Sequence, residues 1–431
     1  MAFFWQELKC VVAAAPSLLL WPLRALVFAT ANACTRALDP YQKCVAPSTL
    51  KASAETIQGM LPLWEDRADT LMYRGFHLCE VRGLPANGLN HYVSDWCSFE
   101  GDRVAALRWK AQATKSAADA SAADIAFTQY LNNWVDANGY LCRGWTWRGD
   151  GGKDYTHRIS IDQVAHFVHA LSVQPWVVLA RNQAPSRRLA LRFIADGLRF
   201  LTPDASDEYN TRCMPWPWRG GVHAAAAQAL LAFAADATGD EDFEQLRRIH
   251  AVGAAAAMAA PIARAGNLVP GFNFNITLLA LKAAWNRTVS TPALMGMRSI
   301  YKAIKLKYNP WWALVLADAG IGTDNDIAMA AYQLTTASKL NWRDYDFDDW
   351  FPLHFGGDPE PIERKRGEYA LPPPLASASG DCSITQGGWR DVEHFGFKPG
   401  ATTRSDREYN GSFFVNAAWL LEKIMKSRRN A

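Results

Sequence analysis

The chain is short of several features that usually settle a protein's class. Its eight cysteines (Cys10, Cys34, Cys44, Cys79, Cys97, Cys142, Cys213 and Cys382) are scattered, with no Cys-x-x-Cys pair. That spacing argues against a zinc knuckle or a small disulfide scaffold and leaves reduced, buried thiols as the default. A Cys34–Cys44 bridge would belong to an oxidising compartment. The net charge of +3 comes without a long basic run, so nothing calls for nucleic acid. A membrane-spanning helix needs about 20 clean apolar residues. Residues 1–38 are apolar, but Glu7, Lys9, Pro16, Pro22 and Arg24 interrupt them. Alanines at 31 and 33 resemble a cleavage site and leave export open. The segment 1–50 reads instead as amphipathic helices that pack on the domain or touch a membrane surface. Strand-like alternation is almost missing too.

What remains is helical periodicity and tryptophan. Apolar residues recur at helical spacing near 53–75, 98–116, 121–137, 160–183, 185–202, 221–238 and 241–260. The same spacing returns near 274–289, 292–307, 310–319, 324–339 and 411–427. Ser53, with Glu55 and Thr56 close behind, has the look of a capping box. A dozen helices with mostly short connections predict an all-α fold of packed helical hairpins over 51–431. The segment 341–411 breaks the pattern. It is polar, aromatic and rich in Pro and Gly, and reads as an ordered excursion folded over one opening of the domain.

The chain holds 18 Trp, 20 Phe and 13 Tyr, several of them in Gly-rich polar stretches. That placement predicts an aromatic-lined cleft as well as a core. The richest stretch is Gly139–Leu171. Its loop gathers Trp145, Trp147, Arg148, Asp150, Asp154, His157 and Arg158, and a helix follows with Asp162, Gln163, His166 and His169. Aromatic faces beside carboxylates and cations suit a polar, ring-shaped ligand such as a sugar. A self-packed Trp loop, with Asp162 as an early-helix charge, is the plainer alternative. Trp216-Pro217-Trp218 precedes another helix and would add a stacking platform. Phe274-Asn275, Tyr308-Asn309 and Tyr409-Asn410 each stand ahead of an apolar helix, where Asn reads as an N-cap. The sequons at Asn275, Asn286 and Asn410 matter in a eukaryotic secretory pathway.

Trp145-Thr146-Trp147-Arg148 leading into Ser160-Ile161-Asp162-Gln163, with the late Glu408-Tyr409-Asn410-Gly411, resembles the (α/α)-toroid carbohydrate-active enzymes. That group includes glycosidases, polysaccharide lyases and sugar epimerases. The resemblance is architectural and implies an (α/α)6-type ring of hairpins over most of 50–427, with acids and aromatics at one end. A glycoside hydrolase on an oligo- or polysaccharide is then the expected function, needing two carboxyl groups across the bond. Asp162 is the first candidate. Glu80, Asp95, Asp150, Asp349, Glu393 and Glu408 are candidate partners, with Glu408 and Asp349 preferred. Trp145, Trp147, Trp218, Trp350 and Trp389 would stack on sugar rings. Arg148, His157, Arg158 and Tyr409 would hold polar groups.

Three alternatives stand beside the hydrolase. A lyase or epimerase would use Tyr155, His157 or Tyr409 as base and Arg148 or Arg158 to neutralise a carboxylate. Asp346-Phe347-Asp348-Asp349 resembles the acid motif of class II terpene cyclases, with Asp348 as donor. A non-catalytic glycan-binding protein would need the tryptophans and no particular acid. Asp162, His166 and His169 fall on one helix face and could hold a metal. Ring-packed histidines explain that spacing better, so no metal and no cofactor are expected.

Overall fold

In the computed structural model, the described residues are 47–70, 72–73, 76–77, 80–82, 96–147, 153–157, 159, 161–196, 220–259, 271–304, 310–337, 407–409 and 412–429. They form thirteen helices and six short strands. The helices are α1 (Pro47–Thr70), α2 (Trp96–Thr114), α3 (Ala117–Trp134), α4 (Ile161–Ser172), α5 (Trp176–Arg181), α6 (Gln183–Ala195) and α7 (Gly220–Thr238). They continue with α8 (Glu241–Ala259), α9 (Gly271–Thr288), α10 (Thr291–Ile304), α11 (Pro310–Asp318), α12 (Asp324–Ala337) and α13 (Ser412–Arg429). The strands pair antiparallel as β1 (Met72–Tyr73) with β2 (Phe76–His77), β3 (Glu80–Arg82) with β6 (Arg407–Tyr409), and β4 (Gly144–Trp147) with β5 (Lys153–Thr156). The all-α expectation holds, with three two-stranded ribbons added in the connections.

Helix order in space follows a rule. Contacts run α2–α4–α7–α9–α11–α13 and return from α13 to α2, and α4 also packs directly on α9, more extensively than on α7, while α3, α8, α10 and α12 each pack on the helix before them in sequence. The first set carries the deepest core. In α7 every residue from Ala224 to Ala234 is buried, and most are alanine, so neighbouring helices approach closely on all sides. Trp109, Trp134, Trp311 and Trp312 are also core residues, so part of the tryptophan excess is packing.

Polar contacts give the helix directions. Between α2 and α4, His166 meets Asp102 at 2.7 Å near their starts, and Arg108 donates to Gln174 at 3.0 Å near their ends. Between α9 and α11, Trp311 donates to Asn275 at 3.1 Å and Lys282 meets Asp318 at 2.9 Å. Asn286 donates to Ser172 at 3.0 Å, which sets α4 and α9 the same way. Lys110 lies over Trp419 and Lys426 donates to the Ala113 carbonyl, which aligns α2 with α13. The helices α2, α4, α9, α11 and α13 therefore run parallel. By contrast, α1 runs against α13, with Glu65 accepting from Trp419 and Glu422 accepting from Gln58.

Parallel neighbours require a reversal after each central helix, and one corner recurs there. Thr114-Lys115-Ser116, Thr238-Gly239-Asp240 and Thr288-Val289-Ser290 follow α2, α7 and α9. The middle residue is left-handed each time, with φ of 56, 65 and 49°. Its N–H donates to the carbonyl four residues back, at 3.0, 2.8 and 2.9 Å. The third residue's side chain then accepts from an early amide of the next helix: Ser116 from Asp119, Asp240 from Asp242 and Ser290 from Ala293. An αL stop and an N-cap thus share three residues.

Three local expectations need correction. The predicted helix 160–183 is two, because Pro175 lacks the N–H that would carry the ladder on, and the chain restarts at Trp176. Ser53 caps nothing; the helix begins at Pro47, where Pro suits the first turn, and Ser53 is buried inside it. Asn275 is the fifth residue of α9 rather than its cap, and at 1% exposure it is no glycan acceptor. Residues 1–46 and 341–406 lie outside the described residues, so most of the 1–50 segment, whose last four residues open α1, and nearly all of the excursion do too. No described helix is long and apolar enough to cross a membrane.

Candidate functional site

Residues with chemistry collect at the starts of the central helices. Asn275 organises the middle of this layer. Its side-chain oxygen accepts from the indole N–H of Trp311 at 3.1 Å and of Trp312 at 3.2 Å. Indoles can only donate, so the amide orientation is settled and its NH2 faces His166 Nε2 at 3.4 Å. His166 then donates from Nδ1 to Asp102 at 2.7 Å. The chain Asp102–His166–Asn275–Trp311/Trp312 links α2, α4, α9 and α11, and all of it is buried. One oxygen of Asp102 and the hydroxyl of Ser98, one turn apart on α2, have no hydrogen-bond partner among the described residues.

Beside this chain, Tyr130 donates to the Cys97 carbonyl at 3.0 Å and its hydroxyl lies 3.6 Å from the Cys97 sulfur. Burial pushes the Cys97 thiol up to about 12, and the charges of Asp162 and Glu100 add to that. Cys97 is therefore a poor nucleophile. Asp162 stands in the first turn of α4 with 8% of its surface exposed. His166 holds both ring nitrogens in contacts and has no exposed surface, which suits a network that fixes four helices.

His169 sits one turn deeper, its ring 5.8 Å from that of Trp109 and 6.4 Å from that of Trp311. Burial, with help from Lys282 and His166, lowers its pKa to about 3. His166 and His169 are thus hydrogen-bonded and ring-packed respectively, as the sequence reading preferred. Among the described residues the donor atoms that do converge belong to Asp136, Cys142 and His157.

The other expected site residues fall as follows. Trp145 and Trp147 are in β4, opposite Tyr155 and Lys153 of β5. His157 follows β5 and meets Asp136 at 3.0 Å, with Tyr140 edge-on at 5.9 Å. Glu408 and Tyr409 are in β6, paired with Val81 and Glu80 of β3. That pairing joins two candidate acid segments more than three hundred residues apart in sequence. Arg148, Arg158, Trp218, Asp349, Trp350 and Trp389 lie outside the described residues, as does the Asp346–Asp349 acid motif.

Sequence reading passed over Asp102, Ser98, Asp136 and Cys142. One signal was available for the first two: a serine and an aspartate at i and i+4 on a helix otherwise set for burial. Against known proteins, no family model, no curated sequence and no solved structure matches this chain.

Proposed function

We propose that this chain is a carbohydrate-active enzyme, a glycoside hydrolase on an oligo- or polysaccharide, with its helices arranged as an (α/α)6-type toroid. The contact series of the six central helices, the shared direction of α2, α4, α9, α11 and α13 and the repeated corner support that arrangement, in which α4 and α9 also pack on each other. One observation carries the functional reading. Every expected site residue lies in a connection that enters a central helix at its N-terminal end, or in its first turn. The connections at the other end, 115–116, 173–175, 239–240, 289–290 and 319–323, contain none of them. Concentrating aromatics, cations and carboxylates at one end of a rigid helical scaffold gives a saccharide a floor to stack on.

In this reading Asp162 is the acid or base, and Glu408 or Asp349 supplies the second carboxyl group. Trp145, Trp147, Trp218, Trp350 and Trp389 stack on sugar rings, while Arg148, Arg158 and Tyr409 hold polar substituents. Asp102 and His166 keep the starts of α2 and α4 in register beneath Asp162.

Product formation on a broad polysaccharide panel tests this. New reducing ends without unsaturated sugars, lowered about 10²–10⁴-fold by Asp162→Asn in a folded protein, support the hydrolase. Unsaturated products move the assignment to a lyase. Silence on every glycan overturns the carbohydrate reading.

A further inference from the structure

The connection between α3 and α4 contains a second cluster, independent of any reading of the substrate. Asp136, Cys142 and His157 each offer one ligand atom, and these atoms all lie within 4.8 Å of one another. Asp136 and Cys142 are buried, and His157 keeps a quarter of its side chain exposed. We propose that these three residues bind a zinc-class divalent ion that clamps the base of the β4–β5 hairpin to the end of α3.

The carboxylate is built for it. Asp136 Oδ1 accepts from the backbone N–H groups of Asn138 and Tyr140, both at 2.8 Å. That fixes the carboxylate plane and leaves Oδ2 facing His157 Nε2 at 3.0 Å. Gly139 makes the turn possible: its φ is +84°, and a Cβ there would stand 2.4 Å from the Arg188 carbonyl oxygen. The turn is closed by the Asp136 N–H donating to Tyr140 at 3.0 Å and the Cys142 N–H donating to Trp134 at 2.8 Å. The loop backbone is thereby set before any ion arrives.

The donor set selects the ion. A thiolate, an imidazole and a carboxylate suit zinc and its neighbours rather than magnesium or calcium, which demand oxygen. With metal–ligand bonds of about 2.0–2.3 Å, two donors on a tetrahedral zinc stand about 3.3–3.8 Å apart. Shifts of about an ångström therefore bring all three atoms onto one ion. Binding displaces the Cys142 thiol proton and any proton on His157 Nε2 to solvent. Three protein ligands leave one coordination position for water or a further ligand.

The location gives the ion its consequence. Cys142 lies just before β4 and His157 just after β5, so the ion closes both legs of the hairpin that carries Trp145 and Trp147. Because Asp136 follows α3 directly, the hairpin is tied to the helix scaffold as well.

Cobalt(II) titration of metal-stripped full-length protein tests the proposal, followed by zinc competition. Wild type is expected to develop thiolate-to-cobalt absorption saturating at one ion per chain and bleached by zinc. Cys142→Ser should abolish that absorption and weaken zinc binding at least a hundredfold, by analogy with the losses seen even for outer-shell changes of about 10–100-fold. Zinc should raise the melting temperature of wild type and leave that of Cys142→Ser unmoved. No thiolate band in wild type overturns the proposal outright. A band that survives in Cys142→Ser overturns it too, because another cysteine then holds the metal.

Discussion

At the C-terminal ends of the central helices, reversal takes a few residues and the same Thr-x-Ser/Asp corner serves three times. At the N-terminal ends, the connections 71–95, 135–160, 196–219, 260–270 and 338–411 are longer and hold nearly all the aromatic and ionisable residues of interest. The interior differs in the same sense. Toward the C-terminal end Lys282, Asp318 and Lys423 form a buried ionic cluster, and Arg287 caps α4 by donating to the Leu171 carbonyl at 2.9 Å and to the Gln174 carbonyl. Toward the N-terminal end the polar chain is longer and runs from a carboxylate through an imidazole and an amide to two indoles; Ser98 and one Asp102 oxygen there, like Arg287 Nε at the other end, have no hydrogen-bond partner among the described residues. One end spends its polar groups on holding helices together. The other strings its polar groups into one chain across four helices.

Substitutions at the tight end should therefore act on stability and leave chemistry alone. The largest effect is expected at Asp318. Burial alone would push its carboxyl up, but Lys282 and Lys423 hold it at about 2. Asp318→Ala leaves the Lys282 and Lys423 ammonium groups without that partner and should cost about 3–5 kcal/mol in urea denaturation. An Asp318→Ala protein as stable as wild type would break the contrast.

Acid should come next. Burial lowers His169 to about 3 and His250 to about 4, both below the unfolded value near 6.5. The unfolded chain takes up protons that the native state refuses, so stability is complete above pH 6.5 and is lost as pH falls toward 4. Melting temperature should drop between pH 7 and pH 5. His169→Phe, which keeps an aromatic ring between Trp109 and Trp311, should flatten that slope. An unchanged slope would remove His169 from the account.

The smallest effect should be a gain. Val289 is exposed and β-branched, yet its φ is +49° at the corner where the equivalent after α7 is Gly239. Val289→Gly relieves a conformation that costs an L-residue about 1–2 kcal/mol, so a net rise of about 1 kcal/mol is expected by thermal denaturation. A loss would mean that the corners are less alike than their geometry.

Helix positions were legible because apolar periodicity is a local signal that burial then confirms: 221–238 became Gly220–Thr238, and 241–260 became Glu241–Ala259. Roles that depend on distant partners were not. Asn275 has the right neighbours in sequence for a cap, and its actual partners are indoles 36 and 37 residues away and a histidine 109 away. Asp136, Cys142 and His157 carry no recognisable spacing, since the turn at Gly139 and the length of the hairpin bring them together. The repeated corner escaped notice for the opposite reason. It is local, but only its outer residues repeat as Thr and Ser or Asp; the middle residue, which takes the left-handed conformation, is Lys, Gly or Val.

The partnership of α1 has a consequence for how the chain is made. Its helical neighbours are chiefly α12 and α13, reached through contacts such as Gln58 with Glu422, 364 residues away. On the ribosome α1 emerges first among the described helices and finds its docking surface last. Its apolar residues, Ile57 and Leu61 among them, stay unburied through the synthesis of everything between. Throughout that interval a holding chaperone has more to grip at the first helix than at any pair that closes through a short corner.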